Sequence, residues 1–227
     1  EKYMNIRYFG HSAVELSGGD HTVLIDPFID DNPAATVSSA ELEASHILIT
    51  HAHGDHVGDA VSIARRTGAT VVSIVEVADW MEAQGVESFG MNMGAAFPFP
   101  FGSVRLTPAW HSSSFDDGTY GGMPTGLVIE MGGKRIYHAG DTALFSDMSL
   151  IGDLGIDLAF LPIGGLFTMG PNEAVRAAKL LRARVVVPVH YNTFPPIEQD
   201  AQAFAEMLQR EGAGEGLILA PGETAEI

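Results

Sequence analysis

The densest chemistry in this 227-residue chain lies in His51-Ala52-His53-Gly54-Asp55-His56, directly after the apolar run Ile47-Leu48-Ile49. Four side chains able to bind a metal fall within these six residues. In extended backbone, His51 and His53 are two apart, so their imidazoles point to the same side. Gly54 permits a sharp bend, after which Asp55 and His56 begin the next element and face back across it. Nitrogen and carboxylate donors placed this way can serve two neighbouring cations.

The elements that must position these donors are mostly short. Residues 6–9, 13–16 and 22–25 read as strands, separated by Gly10-His11 and by Gly18-Gly19-Asp20. Further strands are predicted at 46–50, 70–75 and 104–108, and a hairpin at 127–131 and 134–138 turns on Gly132-Gly133. Helices are predicted at 60–66, 76–84, near 143–151, at 172–181 with Pro171 in its first turn, and at 198–210. Apolar strands at 157–161 and 185–189 alternate with the later helices. No linker divides the chain, so residues 1–227 are expected to form a single domain, a layered α/β sandwich. Met4 is expected to be the natural start, with no role for residues 1–3. The Phe-Pro-Phe-Pro-Phe run at 97–101 is either a plug under a loop or a substrate wall. The Gly/Ser-rich segment 112–124 is expected to be a long, mobile loop that could gate a substrate.

Composition narrows the function. Twelve Lys and Arg face 29 Asp and Glu, a formal charge of −17. Such a surface repels phosphate backbones and anionic headgroups, so neither nucleic acid nor membrane is an expected partner. With no cysteine, thiolate metal sites and Cys nucleophiles are ruled out. No apolar run reaches the ~18–20 residues of a spanning helix, and a cytoplasmic location is expected. The partner implied is a small-molecule substrate, and a second copy of the chain could complete its pocket.

His51-x-His53-x-Asp55-His56 resembles the signature of the metallo-β-lactamase superfamily of binuclear hydrolases. By that resemblance Trp110-His111 matches the third histidine of a first metal site, and Gly140-Asp141-Thr142 matches a carboxylate bridging both metals. Val187-Pro188-Val189-His190 matches the last histidine, on the second metal. Asp26, in Leu24-Ile25-Asp26-Pro27-Phe28, matches an aspartate that supports the ligands from behind. Gly10-His11-Ser12, Leu24–Phe28, Thr119–Pro124, Phe167-Thr168-Met169-Gly170-Pro171 and His190-Tyr191-Asn192-Thr193-Phe194-Pro195 are together similar to an uncharacterised metal-dependent hydrolase branch. That branch is similar to ascorbate-6-phosphate lactonase and, more distantly, to N-acyl-phosphatidylethanolamine phospholipase D.

The resemblance implies a four-layer αββα sandwich with metals at one edge between the sheets. It assigns His51, His53 and His111 to one cation, Asp55, His56 and His190 to the other, and Asp141 to both. Zinc is the expected metal, although manganese, iron or nickel suit the same donors. Two cations roughly 3.5–4 Å apart can share a hydroxide that attacks a small ester, lactone or phosphodiester. Asp55, Asp141 and His11 are the expected catalytic residues, His11 through substrate contact or proton transfer. His138 is expected to support the ligands rather than join them. Thr168, at a helix N-terminus suited to an anionic group, and Tyr191 and Asn192, beside a ligand, are candidate substrate contacts. The alternatives are a nuclease, which the charge opposes, and a metal-dependent binding or sensor protein without turnover. His21 and His46 read as structural or solvent-facing.

Overall fold

The computed structural model describes residues 4–227; the reading of residues 1–3 falls outside it. Strands Asn5–Gly10 (β1), Ala13–Gly18 (β2), His21–Ile25 (β3), His46–Leu48 (β4), Thr70–Ile74 (β5) and Ser88–Met91 (β6) build one sheet. Phe97–Phe99 (β7), Gly102–Pro108 (β8), Thr125–Met131 (β9), Lys134–His138 (β10), Leu158–Pro162 (β11), Val185–Val189 (β12) and Glu215–Gly216 (β13) build the second. Thr224–Glu226 (β14) returns to pair with β1, so the first sheet runs β14-β1-β2-β3-β4-β5-β6 and the second β13-β12-β11-β10-β9-β8-β7. Each begins as an antiparallel meander, β1-β2-β3 or β8-β9-β10, and continues with parallel strands.

Side-chain alternation makes the layers. Along β11, Leu158 and Phe160 join the core between the sheets, while Ala159 and Leu161 face a second core outside. In β12, Val187 and Val189 face inward and Val186 outward. The outer core is covered by Met148–Gly152 (α4), Pro171–Leu181 (α5) and Ala201–Glu211 (α6). Two helices, Ala60–Thr67 (α2) and Val75–Ala83 (α3), pack against β4, β5 and β6 of the first sheet. Gly54–Val57 (α1) is a single turn. The arrangement is the αββα sandwich of the metallo-β-lactamase fold. Fully buried aliphatic and aromatic side chains such as Leu24, Ile47 and Phe160 each contribute about 1.5–3 kcal/mol.

Several expectations shift. The helix near 143–151 begins only at Met148, because Ala143 donates its N–H to Trp110 O at 3.1 Å and so is tied to a site loop. Phe97 and Phe99 are not in a loop but in β7, paired antiparallel to β8. Their rings pack with Phe89, Phe101 and His46 as an aromatic cluster at the sheet edge, and none of them lines the cavity over the His/Asp cluster. Strands β6, β7, β13 and β14 are too short or too polar to stand out in the sequence.

Candidate metal centre

Every expected ligand follows the carboxyl end of a strand, where the backbone leaves its ladder and side chains are free to converge. Beyond β4, Ile49 N–H still reaches Val72 O at 3.1 Å, and the chain then releases His51 and His53 and enters α1 with Asp55 and His56. A Cβ at Gly54 would meet only the exposed Asp116 carboxylate, at 2.9 Å, which can swing aside. From the second sheet come His111 after β8, Asp141 after β10 and His190 after β12. His11 follows β1 and Asp26 follows β3. Three of these residues, His11 (φ 56°), Asp26 (φ 45°) and His190 (φ 54°), hold the left-handed conformation that side chains disfavour. Backbone strain of this kind persists where surrounding contacts over-determine it.

Six of the nine histidines come together with two aspartates. One group is His51, His53 and His111; a second is His11, Asp55, His56 and His190; a third, His51, His56 and Asp141, joins them. In each, one donor atom per residue lies within 4.8 Å of the others. Asp141 is central, with Oδ1 3.2 Å from His56 Nε2 and Oδ2 3.0 Å from His190 Nε2 and 3.5 Å from His111 Nε2. His56 Nε2 and Asp141 Oδ1 are buried and lack a hydrogen-bond partner. Orphaned polar atoms facing one another, in a set of nitrogen and oxygen donors without sulfur, fit a divalent cation.

The supporting contacts fix which nitrogen each ring presents. Asp26 accepts from Thr50 N–H (2.8 Å), Thr50 O–H (2.6 Å) and His56 Nδ1–H (2.7 Å). Thr50 Oγ1 accepts in turn from His51 Nδ1–H at 3.0 Å. One buried carboxylate therefore leaves both His51 and His56 with Nε2 free for a metal. His53 presents Nδ1, which stands 3.0 Å from His51 Nε2. Asp55 accepts from His11 Nε2–H at 2.9 Å, and Thr193 O–H donates to His11 Nδ1 at 2.6 Å. The expected His11 thus touches a ligand carboxylate.

Burial and charge oppose one another throughout. Burial works against a charge on His56, yet Asp141 and Asp26 hold its pKa well above the ordinary histidine range. Burial likewise lowers His190, but Asp141 and Asp55 outweigh it and hold the pKa up at about 9. Asp141 titrates well below the usual carboxylate range because His56 and His190 overcome its burial. Burial lowers His11 to about 4 and takes His51 well below its ordinary value, so both are neutral at pH 7.

Residues 21–191 match the family described as the β-lactamase superfamily domain. The chain belongs to the metallo-β-lactamase superfamily. It is 55% identical over 224 residues to a UPF0173 metal-dependent hydrolase of Thermus thermophilus, covering 99% of each chain. A UPF0173 metal-dependent hydrolase of Deinococcus radiodurans is 52% identical over 228 residues, with 99% and 100% covered. Igni18, a metallo hydrolase of the archaeon Ignicoccus hospitalis, superposes with a TM-score of 0.91 at 40% identity, covering 99% and 98%. The protein is a metal-dependent hydrolase of this fold, with a His/Asp cluster able to bind metal.

In this superfamily member the remaining candidates fall into two groups. His138 donates from Nε2 to Ser12 O (3.1 Å) and accepts Gly140 N–H on Nδ1 (3.1 Å), bracing the turn that carries Asp141. Three expected substrate contacts do other work. Tyr191 packs on the outer core, and Asn192 Oδ1 accepts from Gln199 N–H at 2.7 Å, closing its own loop. Thr168 hydrogen-bonds Met169 O, and the α5 N-terminus beside it holds the Glu173 carboxylate within 3.0 Å of where a Gly170 Cβ would stand. An acidic side chain there opposes an incoming anion.

Segment 112–124 is tied down rather than free. Ser113 Oγ receives Ala52 N–H at 3.2 Å, Gly121 N–H reaches Ser113 O at 3.2 Å, and Phe115 stacks on Trp80 at 4.2 Å. A cavity of about 280 Å³ opens over the candidate ligands His53, Asp55, His111, Asp141 and His190. Its other walls are Ser112, Phe167 and Phe194. Both phenylalanines lie in motifs that resemble the hydrolase branch, but the sequence alone gave them no place at the site.

Proposed function

We propose that this chain is a two-metal hydrolase of a small ester, lactone or phosphodiester. The observation that carries the reading is Asp141, whose two oxygens face His56 on one side and His190 and His111 on the other. His51, His53 and His111 would hold one cation, Asp55, His56 and His190 the other, and Asp141 both. Zinc suits the nitrogen-rich donors. Cations bound there would acidify water and polarise the scissile carbonyl or phosphoryl group. The chain's own part is orientation. Asp26 holds His56 and, through Thr50, His51; His11 and Thr193 hold Asp55; Phe167 and Phe194 form an apolar wall of the cavity.

Acid release in a pH-stat tests this, using metal-loaded protein with a matched lactone and phosphodiester. Turnover of one bond type is expected, and Asp141→Asn should lower kcat by at least about a hundredfold. Full activity in that variant would overturn the reading.

A further inference from the structure

The walls of the cavity are unequal. On one side Phe167 and Phe194 are left 56% and 37% exposed beside the ligands. Their chain neighbours include two more exposed apolar side chains, Leu166 (75%) next to Phe167 and Trp110 (67%) next to His111. Trp110 N–H bonds Thr142 Oγ1 at 2.9 Å and Met169 N–H bonds Thr142 O at 3.0 Å, so the loops bearing these side chains meet at one residue. Large apolar groups left in water beside a reaction centre gain free energy when a ligand covers them.

The other side is acidic. A second cavity shares His53 and Asp55 with the first and is bordered by Asp31 and Asp116, both exposed. A third, against Trp80 and Phe115, adds Asp59 and Asp117. Among the described residues, no lysine or arginine lines any of the three. Bound cations would draw negative charge to the scissile group, but a second anionic group, away from that bond, meets carboxylates and no counter-ion.

Resting on the hydrolase reading above, we infer that the substrate's non-reacting part is an uncharged aryl or short alkyl group seated against Phe167 and Phe194. Substrates carrying an additional anionic group, such as phosphorylated sugars, are rejected. Phe167 and Phe194 are then specificity-determining residues. Phe194 also stands edge-on to His11, with ring centroids 5.3 Å apart, so the substituent would lie close to the group that holds Asp55.

Two substrate pairs test this with metal-loaded protein. One is phenyl acetate against 4-sulfophenyl acetate, the other methyl phenyl phosphate against methyl 4-sulfophenyl phosphate. Whichever bond is cleaved, the sulfonated member should show kcat/KM lower by about tenfold or more. Phe167→Ala and Phe194→Ala should lower the preference for phenyl over methyl acetate (or the matching phosphates) by about tenfold, mainly through KM. Phe194→Leu should restore most of it, which a purely structural role would not produce. Equal kcat/KM within each pair, or an unchanged phenyl preference in the alanine variants, would overturn the inference.

If neither bond is cleaved the proposed choice of bond fails, and the pocket is judged by binding alone. Saturation-transfer NMR should then show benzyl alcohol, but not benzenesulfonate, on the wild type, and neither on the double alanine variant. Benzenesulfonate binding as well as benzyl alcohol would sink the pocket separately.

Discussion

At the scale of single residues, the centre combines histidines that charge with histidines that cannot. His190, held at about 9, and His56, also raised, are protonated at pH 7 before metal arrives, whereas His11 and His51 are neutral. Metal uptake must displace the protons on His56 and His190, because the ligand is the free imidazole. The sign follows: protons are released at pH 7, and metal affinity rises with pH until His190 is already deprotonated above about 9. Calorimetric metal titration in two buffers of different ionisation enthalpy measures this directly. Between one and two protons should be released at pH 7 and fewer at pH 10; no buffer dependence would contradict the assignment. The motif residues 51–56 were legible because four metal-capable side chains are adjacent in sequence. Thr193 was legible only as a neighbour of His190, since its bond to His11 spans 182 positions.

At the scale of elements, the site depends on where strands and helices stop. Many of those stops use glycine, but for different reasons. Gly68 caps α2 with φ +74° and Gly94 lies in a bend outside the left-handed region, and neither has an atom within 4 Å of an added Cβ. Contacts therefore cannot separate them; backbone conformation alone does. Gly68→Ala should destabilise by about 1 kcal/mol through left-handed strain. Gly94→Ala should stabilise by about 0.4–1 kcal/mol by restricting the unfolded chain. Urea midpoints of the two variants should move in opposite directions, and movement in the same direction would show that φ is not what decides. Strand positions from β1 to β5 and from β8 to β12 were legible from apolar runs bounded by turn residues. The edges β7 and β14 were not, since Phe-Pro-Phe and Thr-Ala-Glu carry no periodic signal until a neighbouring strand pairs with them.

At the scale of the whole molecule, the proposed ligands divide between the sheets. His51, His53, Asp55 and His56 leave the first, while His111, Asp141 and His190 leave the second. Cations shared by these donors would tie the sheets together at one edge and offset part of the −17 charge. A ligand at about a thousandfold above its Kd adds about 4 kcal/mol. For a chain of this size that corresponds to a Tm increase of roughly 8–16 °C. Scanning calorimetry with and without a chelator should show a loss of that order, and Asp141→Asn with metal present should reproduce much of it. An unchanged Tm after chelation would mean that no metal bridges the sheets.

What the sequence determined by itself was local: strand-end histidines, the two-residue spacing of His51 and His53, the turn glycines, and an acidic chain without cysteine. Those follow from short-range geometry and composition, which neighbouring residues dictate. The family resemblance already joined His111, Asp141 and His190 to residues 51–56; tertiary structure alone decided which other loops meet them. It left Thr168, Tyr191 and Asn192 out of the lining of the cavity over the His/Asp cluster and brought Phe167 and Phe194 to its wall. It also clamped His11 between Thr193 and Asp55. Convergence of that kind depends on how two twisted sheets pack, and no spacing along the chain encodes it.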